Sequence, residues 1–451
     1  MQITKLGPID NGEIKLAPLT IFCGANNQGK TYMSYTIYGI LKNLPILTKG
    51  FLTEEDLQHF VEHGSISFSK DVFVKKIVET MMNNLRENKA KMLESLFKSE
   101  SNVFEHVDVN VSSDEIVALL NINQINEHKI NVAGTEILLE VLENQCTILM
   151  SNNELNEILS MNRMKMFVDT LIMQSVKKNL NTFYIPSERI GINVFRGQLN
   201  ANKIEMLDII NNAMSINGHV PDTQLLKSLK QMNTSFPEPI DDYLKFINSI
   251  SNYDIDENKP LAAFVRENII KGQFVIDANT DKSFFRSQIG KNRYKSHMIP
   301  LHITSSSIKS LYGLDYFLEN IDHSKLTYLI IDEPEMNLHP ANQIQFAKLL
   351  NLMVAKNIHV IISTHSDFLV RKIQNIMLQN EIRDEQGLHA NNVAVYNFED
   401  GMVNRIDLMD ETEAFNNFND IVVQIEDEYL DLLEERSRKN KAAQGNEERE
   451  R

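Results

Sequence analysis

Cysteine is scarce in this sequence, with Cys23 and Cys146 the only two among 451 residues. Two are too few for a disulfide framework or a cysteine metal site, and they suit a reducing cytosol. Long apolar runs are missing as well: no stretch of about twenty such residues occurs, so nothing reads as a membrane span. The opening, MQITKLGPID, lacks the charged and apolar regions of a signal peptide. The expectation is a soluble cytoplasmic protein without a membrane partner. Positive charge is in deficit, the formal net charge being −16. That argues against a surface that coats nucleic acid and leaves only a local basic groove open. No internal repeat is found. What remains is 42% hydrophobic and 24% charged, the composition of an ordinary globular protein. The length suffices for a large core and for two domains.

The rest of the chain is organised around TYLIIDEPEMNLHP, Thr327 to Pro340. Tyr328 to Ile331 reads as a strand buried on both faces, ending at two carboxylates, Asp332 and Glu333. Such a pair calls for a cation or a substrate. A nucleotide site answers it, with Asp332 holding Mg²⁺ and Glu333 orienting the water that attacks the γ-phosphate of ATP. A solvated strand end with a turn at Pro334 is the bland alternative.

Far upstream, the apolar segment Leu19 to Cys23 runs into GANNQGKT: Gly24, Ala25, Asn26, Asn27, Gln28, Gly29, Lys30 and Thr31. A helical pattern, Tyr32 to Leu41, follows. Strand, glycine loop and helix are the context a phosphate loop requires. Its N–H groups would wrap a phosphate chain at a helix N-terminus. Lys30 would reach the β- and γ-phosphates, and the Thr31 hydroxyl would ligate Mg²⁺.

Elsewhere the signals are coarser. Met1 to Ile9 and Glu13 to Leu16 read as short strands. Val74, Ile77, Val78, Met81 and Leu85 keep the spacing of an amphipathic helix bordered by lysines, more simply a solvated face than a nucleic-acid footprint. Leu155, Ile158, Leu159, Met166, Leu171 and Ile172 suggest another helix. Short strands are expected near Val107 to Val111 and Ile130 to Val132. Phe183 to Pro186 reads as a strand ending in Ser187, Glu188 and Arg189; the arginine either lies near the nucleotide or a domain contact, or pairs with a surface acid. Gly272 to Phe285 predicts a hairpin and Met298 to Ile303 a strand. Next comes a serine triplet, Ser305, Ser306 and Ser307, that is either an anion-binding helix start or a simple cap. Pro340 suits the first position of a helix, Ala341 to Ala355. The strand His359 to Ile362 ends at Ser363, Thr364, His365 and Ser366, where His365 could sense the γ-phosphate. Strands over Asn392 to Phe398 and Met402 to Ile406, a helix over Glu411 to Arg436 and a charged tail complete the chain.

This order of motifs resembles the ABC-type ATPase superfamily. YIPSERIG, IPLHITSSSIKSL, IIDEPEMNLHPANQ and IISTHSDFLV are similar to the AAA family ATPases of the OLD (overcoming lysogenization defect) group, relatives of RecF and SMC proteins, many of which serve bacterial anti-phage defence. The resemblance covers residues 1–45 and 270–400. It implies an α/β fold, a mixed sheet flanked by helices forming an ABC-type P-loop head, with a helix-rich inserted lobe. The head would comprise residues 1–45, 180–200 and 270–410. Residues 46–179 would be the insertion, 201–269 a second helical segment, and 411–451 the C-terminal helix and tail.

By the same resemblance Gly24, Gly29, Lys30 and Thr31 form Walker A, Asp332 and Glu333 Walker B, and His365 the switch histidine. Asn337 would open the D-loop, and Ser305 to Ser307 would cap ATP across a dimer interface. The chain has TSSSI where transporters have LSGGQ, so the backbone would approach phosphate less closely. No glutamine stands out as the Q-loop residue. ATP would join two heads into a homodimer or higher homo-oligomer.

Two functions follow. One is the sensor subunit of an anti-phage system controlling a separately encoded nuclease or toxin, since no cluster of metal-binding acids follows His365. The other is a DNA repair or recombination ATPase of RecF or SMC type, with nucleic acid as partner, which the acidic balance makes less attractive. A transporter subunit is disfavoured by the insertion and the missing LSGGQ, and a non-hydrolysing scaffold by Glu333.

Overall fold

The computed structural model describes residues 1–99, 103–120, 127–132, 135–151, 160–199, 236–250, 259–277, 280, 282–290, 293–409, 427–430 and 433. The charged tail, nearly all of the expected helix from Glu411, and Leu155, Ile158 and Leu159 lie outside them.

The chain opens with strands β1 (Gln2–Leu6), β2 (Ile9–Glu13) and β3 (Leu19–Gly24). The insertion supplies β4 (Ser65–Ser69), β5 (Asp108–Asn110), β6 (His128–Val132), β7 (Thr135–Val141) and β8 (Gln145–Met150). After it come β9 (Leu180–Ile185), β10 (Gly272–Ile276), β11 (Ser283–Gly290), β12 (Arg293–Tyr294) and β13 (Ile299–Pro300). The last are β14 (Leu326–Asp332), β15 (Ile358–Ser363), β16 (Val393–Glu399) and β17 (Met402–Ile406).

Among the described residues nine strands form one mixed sheet in the order β5-β1-β2-β17-β16-β3-β15-β14-β9. From β16 to β9 every neighbouring pair is parallel. β3 is buried throughout, and in β14 every residue after Leu326 is, as expected of strands covered on both faces. The helix Lys30–Leu47 covers one face and is itself buried along most of its length. The fold class is therefore the α/β architecture with a mixed sheet that the motifs implied.

Two local expectations are corrected. The second strand is Ile9–Glu13, and not Glu13 to Leu16. Lys15 has both its backbone groups bonded to the Tyr396 hydroxyl instead of to a ladder. Met298 to Ile303 is only partly a strand: Ile299 and Pro300 pair with β11, and Leu301–Ile303 turns as a 3₁₀ helix. Pro300 has no N–H to continue the ladder. The insertion expected over residues 46–179 carries both helices and strands. It has helices at Glu54–His63, Lys70–Phe97 and Met161–Asn179, and in addition an antiparallel sheet, β4-β8-β7-β6. It also returns β5 to pair with β1, which covers an edge of the head's own sheet.

Two of the lysines on the long insertion helix Lys70–Phe97 face acids of the same chain: Lys76 pairs with Asp56 and Lys89 with Asp108. Phe73, Ile77, Val78, Met81 and Leu85 of that helix are buried. In the second helical segment, the helix Glu238–Asn248 is followed by Pro260–Phe264, which continues as a π-helix, Val265–Ile270. Arg266 of the π-turn reaches two buried carboxylates on the helix Ser306–Asn320: Asp315 at 3.0 Å and Glu319 at 2.6 Å. Replacing one partner of a buried ion network exposes the others' desolvation cost. Arg266→Met should therefore destabilise the fold by about 3–5 kcal/mol, read as a drop in the urea midpoint of unfolding.

Candidate active site

Parallel strands whose chains all run the same way deliver their C-terminal ends to one edge of the sheet. Here that edge receives Gly24 from β3, Ser363 from β15, Asp332 from β14 and Ile185 from β9. Register aligns Asp332 with Ser363, and Ser363 with Phe22.

The glycine loop leaves β3 at Gly24, whose φ of 129° is closed to most L-residues. A Cβ there would lie 2.3 Å from the Phe398 carbonyl oxygen of the neighbouring strand. Gly29, at φ 95°, caps the helix Lys30–Leu47, and a Cβ on it would press into Ile9. The two glycines are thus required by packing as well as by any phosphate. Ala25, Asn26 and Asn27 are exposed and Gln28 half-buried, so the loop's rim faces outward. Lys30 is buried, its ammonium donating to the carbonyls of Gly24 (2.9 Å) and Ala25 (2.7 Å). Burial lowers its pKa, while the charges of Glu333 and Asp332 oppose the shift. The lysine and the acids therefore share one site.

Thr31 and Asp332, 301 residues apart, meet directly: the threonine hydroxyl donates to Asp332 Oδ2 at 3.1 Å. Asp332 is 2% exposed. Burial raises its pKa, the Ser363 hydroxyl that donates to it opposes the rise, and Glu333's charge adds to it. A buried carboxylate beside a hydroxyl is a hard-oxygen donor pair, the chemistry magnesium selects. Thr31 and Asp332 fit that ion, which would supply positive charge to the phosphates and lower the cost of keeping Asp332 ionised.

Glu333 sits one residue past the strand with φ 46°, a left-handed conformation that costs a glutamate about 1–2 kcal/mol. Ser363 meets its N–H with both its hydroxyl and its carbonyl, each at 3.1 Å. Arg189 holds the two carbonyls that flank its Cα: Nη1 donates to Asp332 O at 2.8 Å and Nη2 to Glu333 O at 2.7 Å. Of the two places expected for Arg189, it does not take the surface pair; it lies 2% exposed beneath the acid turn, bonded to the carbonyls of Asp332 and Glu333.

His365 Nε2 stands 3.7 Å from Glu333 Oε1, too far for a hydrogen bond. Burial first, and Lys30's charge second, lower its pKa, which favours the neutral ring. Its backbone N–H donates to Glu335 Oε1 at 2.6 Å. Ser363 and Glu335 are the site residues to which the motifs gave no role, and Arg189 is one for which they left two readings open. Glu335 follows Pro334 in a turn that folds its carboxyl, whose Oε2 is enclosed, back under the histidine loop.

Asn337 is exposed at φ 64°, in the turn after the acids. His339 caps the helix Pro340–Ala355, with Pro340 in the first turn as its chemistry suggested. Within one chain the serine triplet is a cap: Ser305 Oγ accepts from the Ile308 N–H at 3.4 Å, and the hydroxyls of Ser305 and Ser307 lie 3.0 Å apart. Ser305 and Ser306 are exposed and Ser307 half-buried.

The family described as AAA ATPase domain matches residues 1–370. No curated protein matches the chain in sequence. Among solved structures the chain is similar to the Smc head domain with an extended coiled coil bound to the C-terminal domain of ScpA, derived from Pyrococcus furiosus. That match has 11% identity over 93% of this chain and 98% of the other, with a TM-score of 0.30. The SmcHead bound to the C-winged helix domain of ScpA gives 12%, 90%, 97% and 0.34 for the same measures. The SMC head domain from Thermotoga maritima gives 11%, 90%, 97% and 0.27.

Burial raises the Glu335 pKa, and the His365 N–H opposes the rise. The folded chain then keeps a proton where the unfolded chain releases it. The stability this contributes is complete below the ordinary glutamate range, about pH 4, and declines as pH rises above it. Glu335→Gln, which still accepts from His365, should raise the melting temperature by a few degrees at about pH 8 and change it little at about pH 4; scanning calorimetry at the two pH values checks this.

Proposed function

The chain belongs to the AAA ATPase domain family, and on that premise we infer that it hydrolyses ATP as a two-headed switch. The observation that carries this is the direct contact of Thr31 with Asp332, beside Lys30 and Glu333. Lys30 would leave its loop carbonyls for the β- and γ-phosphates. Thr31 and Asp332 would hold magnesium, which supplies positive charge to the triphosphate when bound. Glu333 would accept the proton of the attacking water, and neutral His365 would hydrogen-bond the γ-phosphate. Water enters, a P–O bond forms to it as the bond to the β-phosphate oxygen breaks, and ADP and phosphate leave.

Ser305 to Ser307 and Asn337 have a different place in this reading. Asn337 is exposed in the turn after the acids, and the triplet opens the helix Ser306–Asn320 with Ser305 and Ser306 exposed, which supports a role on the ATP of a second copy. ATP would then act as interfacial adhesive in a homodimer, and hydrolysis would release the heads. The insertion, tied to the head through β5, would pass that motion on. The biological role inferred is a sensor and switch of bacterial anti-phage defence acting on a separately encoded effector. The RecF or SMC alternative finds less support, because the net charge is −16 and Lys76 and Lys89 of the insertion already face acids. Co-purification from the native host, with and without phage challenge, separates the two by returning an effector chain or DNA.

Lys30→Ala should abolish ATP binding in calorimetric titration. Glu333→Gln should keep that binding, lower turnover by roughly a hundred- to ten-thousand-fold and accumulate an ATP-dependent dimer in light scattering. Wild-type turnover by the glutamine variant would remove Glu333 from its role.

A further inference from the structure

The conformation of Glu333 is unusual for its residue type, and one side chain accounts for it. The relative orientation of the peptide planes on either side of a Cα is set by that residue's φ and ψ. The carbonyls of Asp332 and Glu333 lie on those two planes, and the Arg189 guanidinium binds both of them. A third bond, from Nη1 to the Pro186 carbonyl at 3.1 Å, anchors the fork to the end of β9. A planar group with fixed donor directions thus clamps φ and ψ of Glu333 where the backbone alone would relax to an extended form, the more so before Pro334.

Arg189 does not stand alone. It begins the helical residues 189–199, and Asn193, one turn on, donates to the Lys309 carbonyl at 2.8 Å. Asn193 also accepts from the buried Tyr243 hydroxyl at 3.0 Å. Lys309 lies in the first turn of the helix that the serine triplet opens. The arginine is therefore bonded to the acid turn at one end, and its helix to the serine-bearing helix at the other.

We propose that Arg189 is a positioning residue that holds Glu333 in its left-handed, catalytically competent conformation. The inference rests on the ATPase reading above. It assigns Arg189 no contact with ATP: its side chain is enclosed and its bonds are to main-chain oxygens.

Arg189→Lys keeps a buried cation but, lacking the planar fork, cannot grip two carbonyls in fixed relation; Arg189→Gln removes the charge. The expected result for Arg189→Lys is a kcat lowered by about ten- to a hundred-fold, the scale of a small misplacement of a reacting group. The dissociation constant for a fluorescent ATP analogue should stay within about threefold of wild type, as expected when alignment and not binding is lost. Amide exchange at residues 333–336 should speed up in the same variant. In single-turnover assays of the Glu333→Gln chain, adding Arg189→Lys should cause no further loss, because the residue acts through Glu333. Overturning results are a kcat within about twofold of wild type, a further loss of the same size in the glutamine background, or exchange unchanged at the acid turn. If Arg189→Lys fails to fold, Arg189→Gln is read by the same four measurements. A wild-type chain that neither binds the analogue nor turns over ATP would instead overturn the ATPase reading, a separable failure.

Discussion

The shared direction of five neighbouring strands is the constraint on which this molecule depends. Because β16, β3, β15, β14 and β9 run parallel, whatever follows each of them emerges along one edge. β15 lies between the strand of the glycine loop and the strand of the acids. That spacing leaves room for a hydroxyl and a histidine between the lysine and the carboxylates. Ser363 fills it, donating to Asp332 and accepting from the Glu333 N–H. A one-residue slip between β14 and β15 would place Ile362 or Thr364 against Asp332 in place of Ser363 and turn every side chain of the strand to the other face.

Electrostatics then decide which charges can share so small a volume. Asp332, Glu333 and Glu335 are arranged around Lys30 and Arg189, all within range to influence one another. Burial disfavours charge on Asp332 and Glu335, and it lowers the pKa of His365. The cations are used differently. Arg189 is spent on main-chain oxygens and fixes geometry, whereas Lys30 rests on two carbonyls of a loop whose rim is exposed. A flexible ammonium can exchange those carbonyls for phosphate oxygens; a guanidinium clamped at three points cannot do so without releasing the acid turn.

Much of this was legible in the sequence, and the reason is local. A glycine loop between an apolar strand and a helix, and a buried strand ending in two acids, are signals whose meaning survives without tertiary context. Their convergence also followed from the motif order. What could not be read were the residues whose role depends on a neighbour distant in sequence. Ser363 was visible as one hydroxyl in a short polar run beside His365, and only strand register distinguishes it from Thr364 or Ser366. Arg189 gave two readings because its partners are backbone atoms, which leave no trace in residue type. Gly24 was read for phosphate, yet the Phe398 carbonyl already demands it. The insertion misled in another way. Its helical periodicity was strong, but alternation in short strands such as β7 and β8 is a weaker signal, and nothing in the three residues of β5 says that they complete the head's sheet.

The serine triplet has one role within this chain, and the role proposed for it on a second copy is a different one. In this chain Ser305 spends its oxygen on the Ile308 N–H, while Ser306 faces outward at the start of a long helix. A helix start with exposed hydroxyls suits an anion, but Ser305 and Ser307 are occupied with each other and with the cap. That helix is anchored at its far end by Arg266 and near its start by Asn193. Residues 189–199 thus lie between the serine-bearing helix, which Asn193 bonds, and the acid turn, which Arg189 bonds.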